Sequence, residues 1–270
     1  MGIKFKDVSY KDYIKNLNLD LVSNQVISII GEEEIIDDFF DLIYGVDLPE
    51  NGEIVVNKNA ISATIDNKKL DNLRKNIAYL ASYCDDILFN INVLEDIKYG
   101  LGKISDKKIY ELLELLNLDD KVLNKNYTEI SDSEKKKICL ISALLKDSKI
   151  TLLNNLTDSL DSKTRYNLVK FLRKEKRNNK IFVISDQNTD FLLQVSDSIL
   201  VINEQGIKLE NDKYSLFSNE KLINSFKISV PWVIRVKNKV LDMKNIKLNH
   251  RDNVNDLLKD IYRNATKVNK

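Results

Sequence analysis

The chain has 270 residues, 43% of them hydrophobic, which is enough for one large domain with an appendage and a substantial buried core. Lys and Arg number 42 and Asp and Glu 41, so the net charge of +1 gives no global electrostatic reason to expect a nucleic-acid partner. The longest apolar runs fall far short of the ~20 residues of a membrane span, and the first residues carry no signal-peptide pattern, so we expect a cytosolic protein.

The first part of the chain predicts short strands followed by a helix. Alternating apolar residues predict strands at residues 3–5 and 17–21, and a continuous apolar run predicts a buried strand at 26–30. Apolar residues between 35 and 43 then recur at helical spacing, and Gly45 is the expected terminator of that helix.

The middle of the chain predicts a turn, two strands and a helical region. The turn signal at residues 49–52 precedes a predicted strand at 53–56. A second strand, at 76–81, leads into an irregular stretch at 83–89. Residues 93–146 are predicted to be mostly helical.

The second half alternates strands and helices. Strands are predicted at 149–153, 181–185 and 199–202, and helices at 162–174 and 191–195. This alternation favours an α/β fold with a parallel sheet flanked by helices. After Gly206 the pattern changes to helices at 214–226, 230–242 and 254–261, so we interpret residues 211–270 as a C-terminal appendage.

The turn between the third strand and the first helix carries carboxylates where phosphate would bind. In a P-loop, G-x-x-x-x-G-K-[ST], glycines let backbone N–H groups approach the phosphates, a lysine neutralises them and a hydroxyl holds Mg²⁺. From Gly31 onward, Ile36 stands at the second glycine, Asp37 at the lysine and Asp38 at the hydroxyl. Two like charges ~4 Å apart repel by about 4 kcal/mol at an effective dielectric near 20, so the turn is expected to repel a triphosphate.

Three interpretations of this acidic turn remain open. The carboxylates of residues 32–34 and of Asp37 can act as the anion at the helix N-terminus, where each contributes about 0.3–1 kcal/mol. The cluster can instead hold a divalent cation, or it can belong to an unconventional nucleotide site. The sequence favours the first.

The framework resembles an ATP-binding cassette (ABC) subunit of a membrane transporter, from residue 1 to about 210. The matching segments are 8–10 and 29–31 at the start, the turn at 49–54, residues 73–78, 88–89 and 93–97 around the Q-loop, 130–134 at the L-S-G-G-Q signature, 150–155 at the Walker B strand and 160–161 at the D-loop. The resemblance implies a P-loop NTPase-like nucleotide-binding domain with an antiparallel β region and a helical subdomain at about 93–146.

The region around the Q-loop and the C-terminal appendage resemble the energy-coupling factor (ECF) branch of that family. Residues 216–219, and 230–232 followed by a basic helix, are similar to the tail with which ECF ATPases pair. The resemblance therefore implies that residues 211–270 are a dimerisation-type appendage.

The chain departs from the family at the positions that carry its chemistry. The Q-loop glutamine corresponds to Ser82, the Mg²⁺-site aspartate to Asn154, the catalytic glutamate to Asn155 and the switch histidine to Asp186. The signature keeps Ser131 but has lost its glycines and its glutamine. Among the matched positions Asp161 survives, and Tyr10 or Tyr13 is available to stack on adenine. The resemblance thus gives Gly31, Tyr13, Asp37, Asp38, Ser131 and Asp161 as degenerate nucleotide-site positions.

These departures predict a pseudo-ATPase. Asn155 cannot accept a proton from water and Asn154 offers a neutral ligand, and phosphoryl transfer depends on positioning and charge stabilisation. We expect no cofactor, with Mg-ATP as the ligand if any binding survives. The expected partners are a homologous ABC ATPase or a second copy, and an integral membrane subunit at the inner face of the cell membrane. The alternatives are an ATPase with altered motifs and a free cytosolic interaction module.

Overall fold

The computed structural model describes residues 2–84, 88, 90, 92–244 and 248–268. Within them the strands are β1 (Gly2–Tyr10), β2 (Ile14–Val22), β3 (Gln25–Gly31), β4 (Asn51–Val56), β5 (Asn59–Ile61), β6 (Ile77–Leu80), β7 (Ile150–Leu153), β8 (Ile181–Ser185), β9 (Ser198–Asn203) and β10 (Gly206–Glu210). The helices are α1 (Glu33–Tyr44), α2 (Asn67–Arg74), α3 (Val93–Lys98), α4 (Asp106–Leu115), α5 (Asp132–Leu145), α6 (Ser162–Glu175), α7 (Thr189–Val195), α8 (Lys213–Ser218), α9 (Glu220–Ser225), α10 (Trp232–Lys244) and α11 (Val254–Val268).

The strands form two sheets. The first is antiparallel, in the order β2-β1-β4-β5. The second has the order β10-β9-β3-β8-β7-β6, in which β9, β3, β8, β7 and β6 are parallel and β10 is an antiparallel edge strand. The carboxyl ends of β3, β6, β7 and β8 therefore lie at one edge of the second sheet. This is the edge at which ligands bind in open α/β sheets.

Helix α1 packs in the space between the two sheets. Its apolar stripe, which includes Phe39 and Phe40, joins a core that Phe5 of β1 enters by stacking on Phe39 at 5.0 Å between ring centroids. Side chains alternate along β3, so Ile27 and Ile29 face this core and their neighbours face a second core. That second core lies beneath α3 to α7.

The sequence predictions differ from the structure mainly at short elements. Strands β1 and β2 are longer than predicted, and β5, α2 and β10 were not predicted. The helix predicted at 214–226 is two helices, α8 and α9, separated at Asn219, whose side chain accepts a hydrogen bond from the Leu222 amide and starts α9. Helix α1 ends as predicted, with Gly45 in the left-handed conformation. Phe89 and residues 85–87 of the predicted irregular stretch lie outside the described residues.

The C-terminal helices share the core of α3 to α7. The buried apolar residues of these helices and of the connections between them are Leu216, Phe217, Ile228, Val233, Ile234, Leu248 and Leu257. Polar contacts fix the same interface, because the Trp232 amide donates to Asp190 on α7 (2.8 Å) and the Lys213 ammonium donates to the Leu193 carbonyl of that helix (2.7 Å). Of the helices in the described residues, none is both long and apolar enough to cross a membrane.

Candidate functional site at the carboxyl edge of the parallel sheet

Gly31 ends β3 where that strand approaches β9 most closely. Its φ of +153° is rarely adopted by other residues, and a Cβ built on it would lie 1.7 Å from the carbonyl oxygen of Ile202. The neighbouring Glu32 amide donates to the same oxygen, at 3.2 Å. The glycine retained from the P-loop pattern thus has a packing function between two parallel strands.

The residues that would form a phosphate-binding loop are instead the first turn of α1. Glu32 is the N-cap residue, the helix begins at Glu33, and the Ile36 amide already donates to the Glu32 carbonyl at 2.9 Å. The N–H groups at and beyond Ile36 therefore belong to the helix and cannot form an open cradle. Glu32 makes no side-chain capping bond, so a contribution of its carboxylate to the helix would act through the helix dipole.

Asp37 occupies the position of the phosphate-binding lysine and points at the end of β7. Its carboxylate accepts a hydrogen bond from the Asn154 side-chain amide, and the Asn154 side-chain oxygen accepts one from the Ser185 hydroxyl. The Ser185 oxygen in turn accepts the Asn155 amide, at 2.8 Å. Burial raises the pKa of Asp37, the Asn154 contact lowers it and Glu33 raises it. Residues predicted at the catalytic and metal positions thus bond to one another.

Asp38, at the position of the Mg²⁺-binding hydroxyl, is bonded to two side chains from the turn between β1 and β2. Tyr13 donates its hydroxyl to the Asp38 carboxylate, and the Lys11 ammonium lies 2.5 Å from it. The Tyr10 hydroxyl donates to Asp47 at 2.6 Å. Burial, and to a smaller extent this hydrogen bond, raise the pKa of Tyr10 to about 12. Both aromatic candidates for adenine stacking are therefore tied to acids by their hydroxyl groups.

The space left at this edge of the sheet is very small. A cavity of about 10 Å³ lies among residues that include Glu33, Asp37, Ser82, Asn154 and Asp186. That volume holds about one water molecule, whereas ligand pockets typically measure about 300–1,000 Å³. This cavity is therefore too small to enclose a phosphate chain. Among the described residues, no acidic, histidine or cysteine side chains group as a metal site would require.

A buried lysine that the sequence reasoning missed connects two of the strand ends. Lys136 on α5 donates to the carbonyl oxygens of Ser82 (3.2 Å) and Asn154 (3.3 Å). Ser82 therefore contributes a backbone carbonyl to this edge. Residues 135–137 are three consecutive lysines, a pattern typical of an exposed helix face, so the sequence carried no signal that one of them is buried in the site.

Asp186, at the switch-histidine position, lines the cavity and is bonded to the turn after β7. It accepts hydrogen bonds from the Thr157 amide (2.6 Å), the Thr157 hydroxyl (2.9 Å) and the Asn188 amide (2.7 Å). Burial raises the pKa of Asp186 although these bonds lower it. The carboxylate is saturated by its own neighbours and holds the loop at Thr157 in place.

The signature position Ser131 and the D-loop position Asp161 cap helices. Ser131 is the N-cap of α5 and forms a capping box with Glu134, whose carboxylate accepts the Ser131 amide at 2.8 Å. Asp161 is the N-cap of α6, accepting the Thr164 amide at 2.8 Å, and pairs with Lys137 at 2.8 Å. The side chains of both residues are therefore bonded within this chain.

Comparison with known proteins identifies the family. The profile of the ABC transporter family matches residues 14–158, more than half of the chain. A putative ABC transporter ATP-binding protein of Clostridium acetobutylicum is 26% identical over 244 residues, with 86% of each chain covered. The ECF transporter ATP-binding protein EcfA2 of Mycoplasma capricolum is 26% identical over 245 residues, covering 86% of this chain and 85% of its own.

The solved structure of cbiO1 from Clostridium perfringens, part of the ABC transporter complex cbiONQ, covers 90% of this chain and 95% of its own at 20% identity with a TM-score of 0.67. At this identity the likeness shows the fold, and it confirms the predicted ABC nucleotide-binding architecture. The chain belongs to the ABC transporter family.

Proposed function

We propose that this chain is a non-catalytic ATP-binding-cassette subunit that acts structurally in an ECF-type transporter. The observation that supports the loss of catalysis is the filled site: Asp37 stands at the position of the phosphate-binding lysine and bonds to Asn154, and the cavity beside them measures about 10 Å³. The names of its relatives, ECF transporter ATP-binding proteins, support the transporter assignment. The subunit would work at the inner face of the membrane with an integral membrane subunit and with a homologous ATPase or a second copy.

The purified full-length chain is expected to release no phosphate from Mg-ATP and to bind ATP no more tightly than about 1 mM, or −4 kcal/mol. The physical reason is that four catalytic groups of the family are replaced together. The phosphate-binding lysine, the Mg²⁺-site aspartate, the catalytic glutamate and the switch histidine correspond here to Asp37, Asn154, Asn155 and Asp186. Phosphate release and isothermal titration calorimetry measure the two quantities. Mg²⁺-dependent hydrolysis that coelutes with the chain and disappears in Asn155→Ala would contradict the proposal.

Two variants separate repulsion by charge from steric filling. The charge-removed variant, Asp37→Asn with Asp38→Asn, keeps the side-chain volume. The rebuilt variant, Glu34→Gly, Ile36→Gly, Asp37→Lys and Asp38→Ser, restores the P-loop pattern. If filling excludes the nucleotide, the charge-removed variant still binds no ATP, and only the rebuilt variant gains affinity. If the charge-removed variant binds as well as the rebuilt one, repulsion is the dominant cause.

Exposed apolar side chains on the C-terminal helices support pairing of this chain with a second subunit. Trp232 (44% exposed) and Met243 (68%) lie three turns apart on one face of α10. On α11, Leu258 and Tyr262 are exposed one turn apart. Exposed apolar patches are typical of association surfaces, and we propose that this one contributes to a dimer.

Replacing Trp232 and Met243 with serine is therefore expected to convert the dimer into a monomer without changing the far-UV circular dichroism spectrum. Sedimentation velocity measures the change. The control is Tyr110→Ser, which removes an equally exposed aromatic residue from α4. A full-length protein that is already monomeric and copurifies with no membrane protein would contradict both the proposed dimer surface and the proposed transporter complex.

A further inference from the structure

A basic cleft lies at the amino end of β6, away from the filled site at the carboxyl end. It measures about 640 Å³ and lies between the end of α2, the loop after α3 and the end of α5. Its lining is Tyr44, Asp71, Arg74, Lys75, residues 100–104, Leu145 and Lys146. Four of these residues carry a positive charge and one a negative charge. The volume is that of a small-molecule site.

The cations of the cleft have few negative partners. Asp71 lies 3.9 Å from Arg74 and is largely exposed, a geometry that contributes little attraction. Among the described residues, no carboxylate lies within ion-pair distance of Lys75, Lys103 or Lys146. By contrast, the shielded Lys180 pairs with Glu175 at 2.7 Å.

Backbone contacts hold two of the cations in place. Arg74 donates to the carbonyl oxygens of Tyr44 and Gly45, and its own carbonyl accepts the Lys146 ammonium at 2.6 Å. Burial lowers the pKa of Lys146, the direction expected of an ammonium group shielded from water without a counter-ion. These groups are therefore positioned before any ligand arrives.

The loop on the opposite wall leaves space for that ligand. Gly100 has a φ of +67°, and no atom lies within 4 Å of a Cβ built on Gly100 or Gly102. Lys103 follows directly and is exposed. Phosphate groups suit such a set, because lysine and arginine neutralise them and the guanidinium group can donate to two oxygens.

We propose that this cleft binds the phosphate groups of an anionic ligand. The ligand is either a free polyphosphate-bearing solute or the headgroup of an anionic lipid. The site is separate from the nucleotide edge, so it rests on its own residues and does not depend on the absence of catalysis.

The test uses the full-length chain and a charge-reversed variant, Lys75→Glu with Lys103→Glu. Both lysines are exposed, so the fold is expected to persist. The control is Lys15→Glu with Lys221→Glu, which changes the net charge equally at two exposed lysines outside the cleft. The probes are sodium tripolyphosphate in calorimetry, and flotation with vesicles of phosphatidylcholine alone or mixed with phosphatidylglycerol.

We expect the wild-type chain and the control to bind one probe at low ionic strength, and the charge-reversed variant to lose about tenfold or more in affinity. Added salt should weaken the binding. Binding of tripolyphosphate indicates a free solute, and binding only of the phosphatidylglycerol vesicles indicates a headgroup. The proposal is overturned if neither probe binds, or if the charge-reversed variant and the control bind alike.

Discussion

Gly31→Ala is expected to lower the free energy of unfolding by about 3 kcal/mol or more, or to prevent folding. The new methyl group would overlap the Ile202 carbonyl oxygen, which lies 1.7 Å from the Cβ position and belongs to the backbone of a central strand. Relief would require β3 and β9 to separate, and their buried side chains would then lose contacts. Urea denaturation followed by circular dichroism measures the effect.

Gly102→Ala is the matched control for this substitution. No atom lies within 4 Å of its Cβ position, so the change is expected to alter stability by less than about 0.5 kcal/mol. Equal denaturation midpoints for the two variants would show that Gly31 is not required for strand packing. A midpoint much lower for Gly31→Ala than for Gly102→Ala would show that the close approach of β3 and β9 requires this glycine.

The sequence predicted the helices and strands that have a long periodic pattern of apolar residues or a clear terminating residue. Helix α1 was predicted from its stripe of apolar residues and from Gly45, and both signals are local. Helix α2 was missed because it contributes only Leu70 and Leu73 to the core and is otherwise polar. Strand β10 was missed because it is a partly exposed edge strand whose register depends on pairing with β9.

The resemblance to a known family named the residues of the candidate site but not the bonds between them. It gave Asp37, Asn154 and Asp186 as positions that match the family's motifs, and in the structure all three line one cavity at the edge of the sheet. It could not predict that Asn154 joins Asp37, or that Asp186 turns toward Thr157, because these are choices of side-chain rotamer in a packed environment. The buried ammonium group of Lys136 is likewise a consequence of tertiary packing.

The ion pair of Asp161 with Lys137 gives the second large expected effect. Asp161→Ala should lower the free energy of unfolding by about 2–3 kcal/mol, because it removes the N-cap of α6, which contributes about 1 kcal/mol, and leaves a buried ammonium group unpaired. The Lys137 side chain is 6% exposed. The Asp161 side chain is 43% exposed, which keeps the loss below that of a fully buried pair.

The same pair predicts a dependence on pH. Although burial favours the neutral acid, hydrogen bonds from Lys137 and Thr164 hold the pKa of Asp161 well below its ordinary value of 3.8. Because the pKa is lower in the folded state, the stabilisation is present in full above the ordinary value and is lost as the pH falls below it. The difference in stability between the wild type and Asp161→Ala should therefore be constant from neutral pH to about pH 5 and shrink in stronger acid.

Two further variants divide this loss between cap and charge. Asp161→Asn keeps an oxygen that can accept the Thr164 amide, so it should retain the cap and lose only the ion pair. Combining it with Lys137→Met removes the unpaired ammonium group, and the double variant should recover stability relative to Asp161→Asn alone, since replacing both members of a buried pair is far less costly than removing one. If the double variant is instead the sum of the two single losses, Lys137 and Asp161 do not interact, and the aspartate retained from the D-loop pattern is only a helix cap.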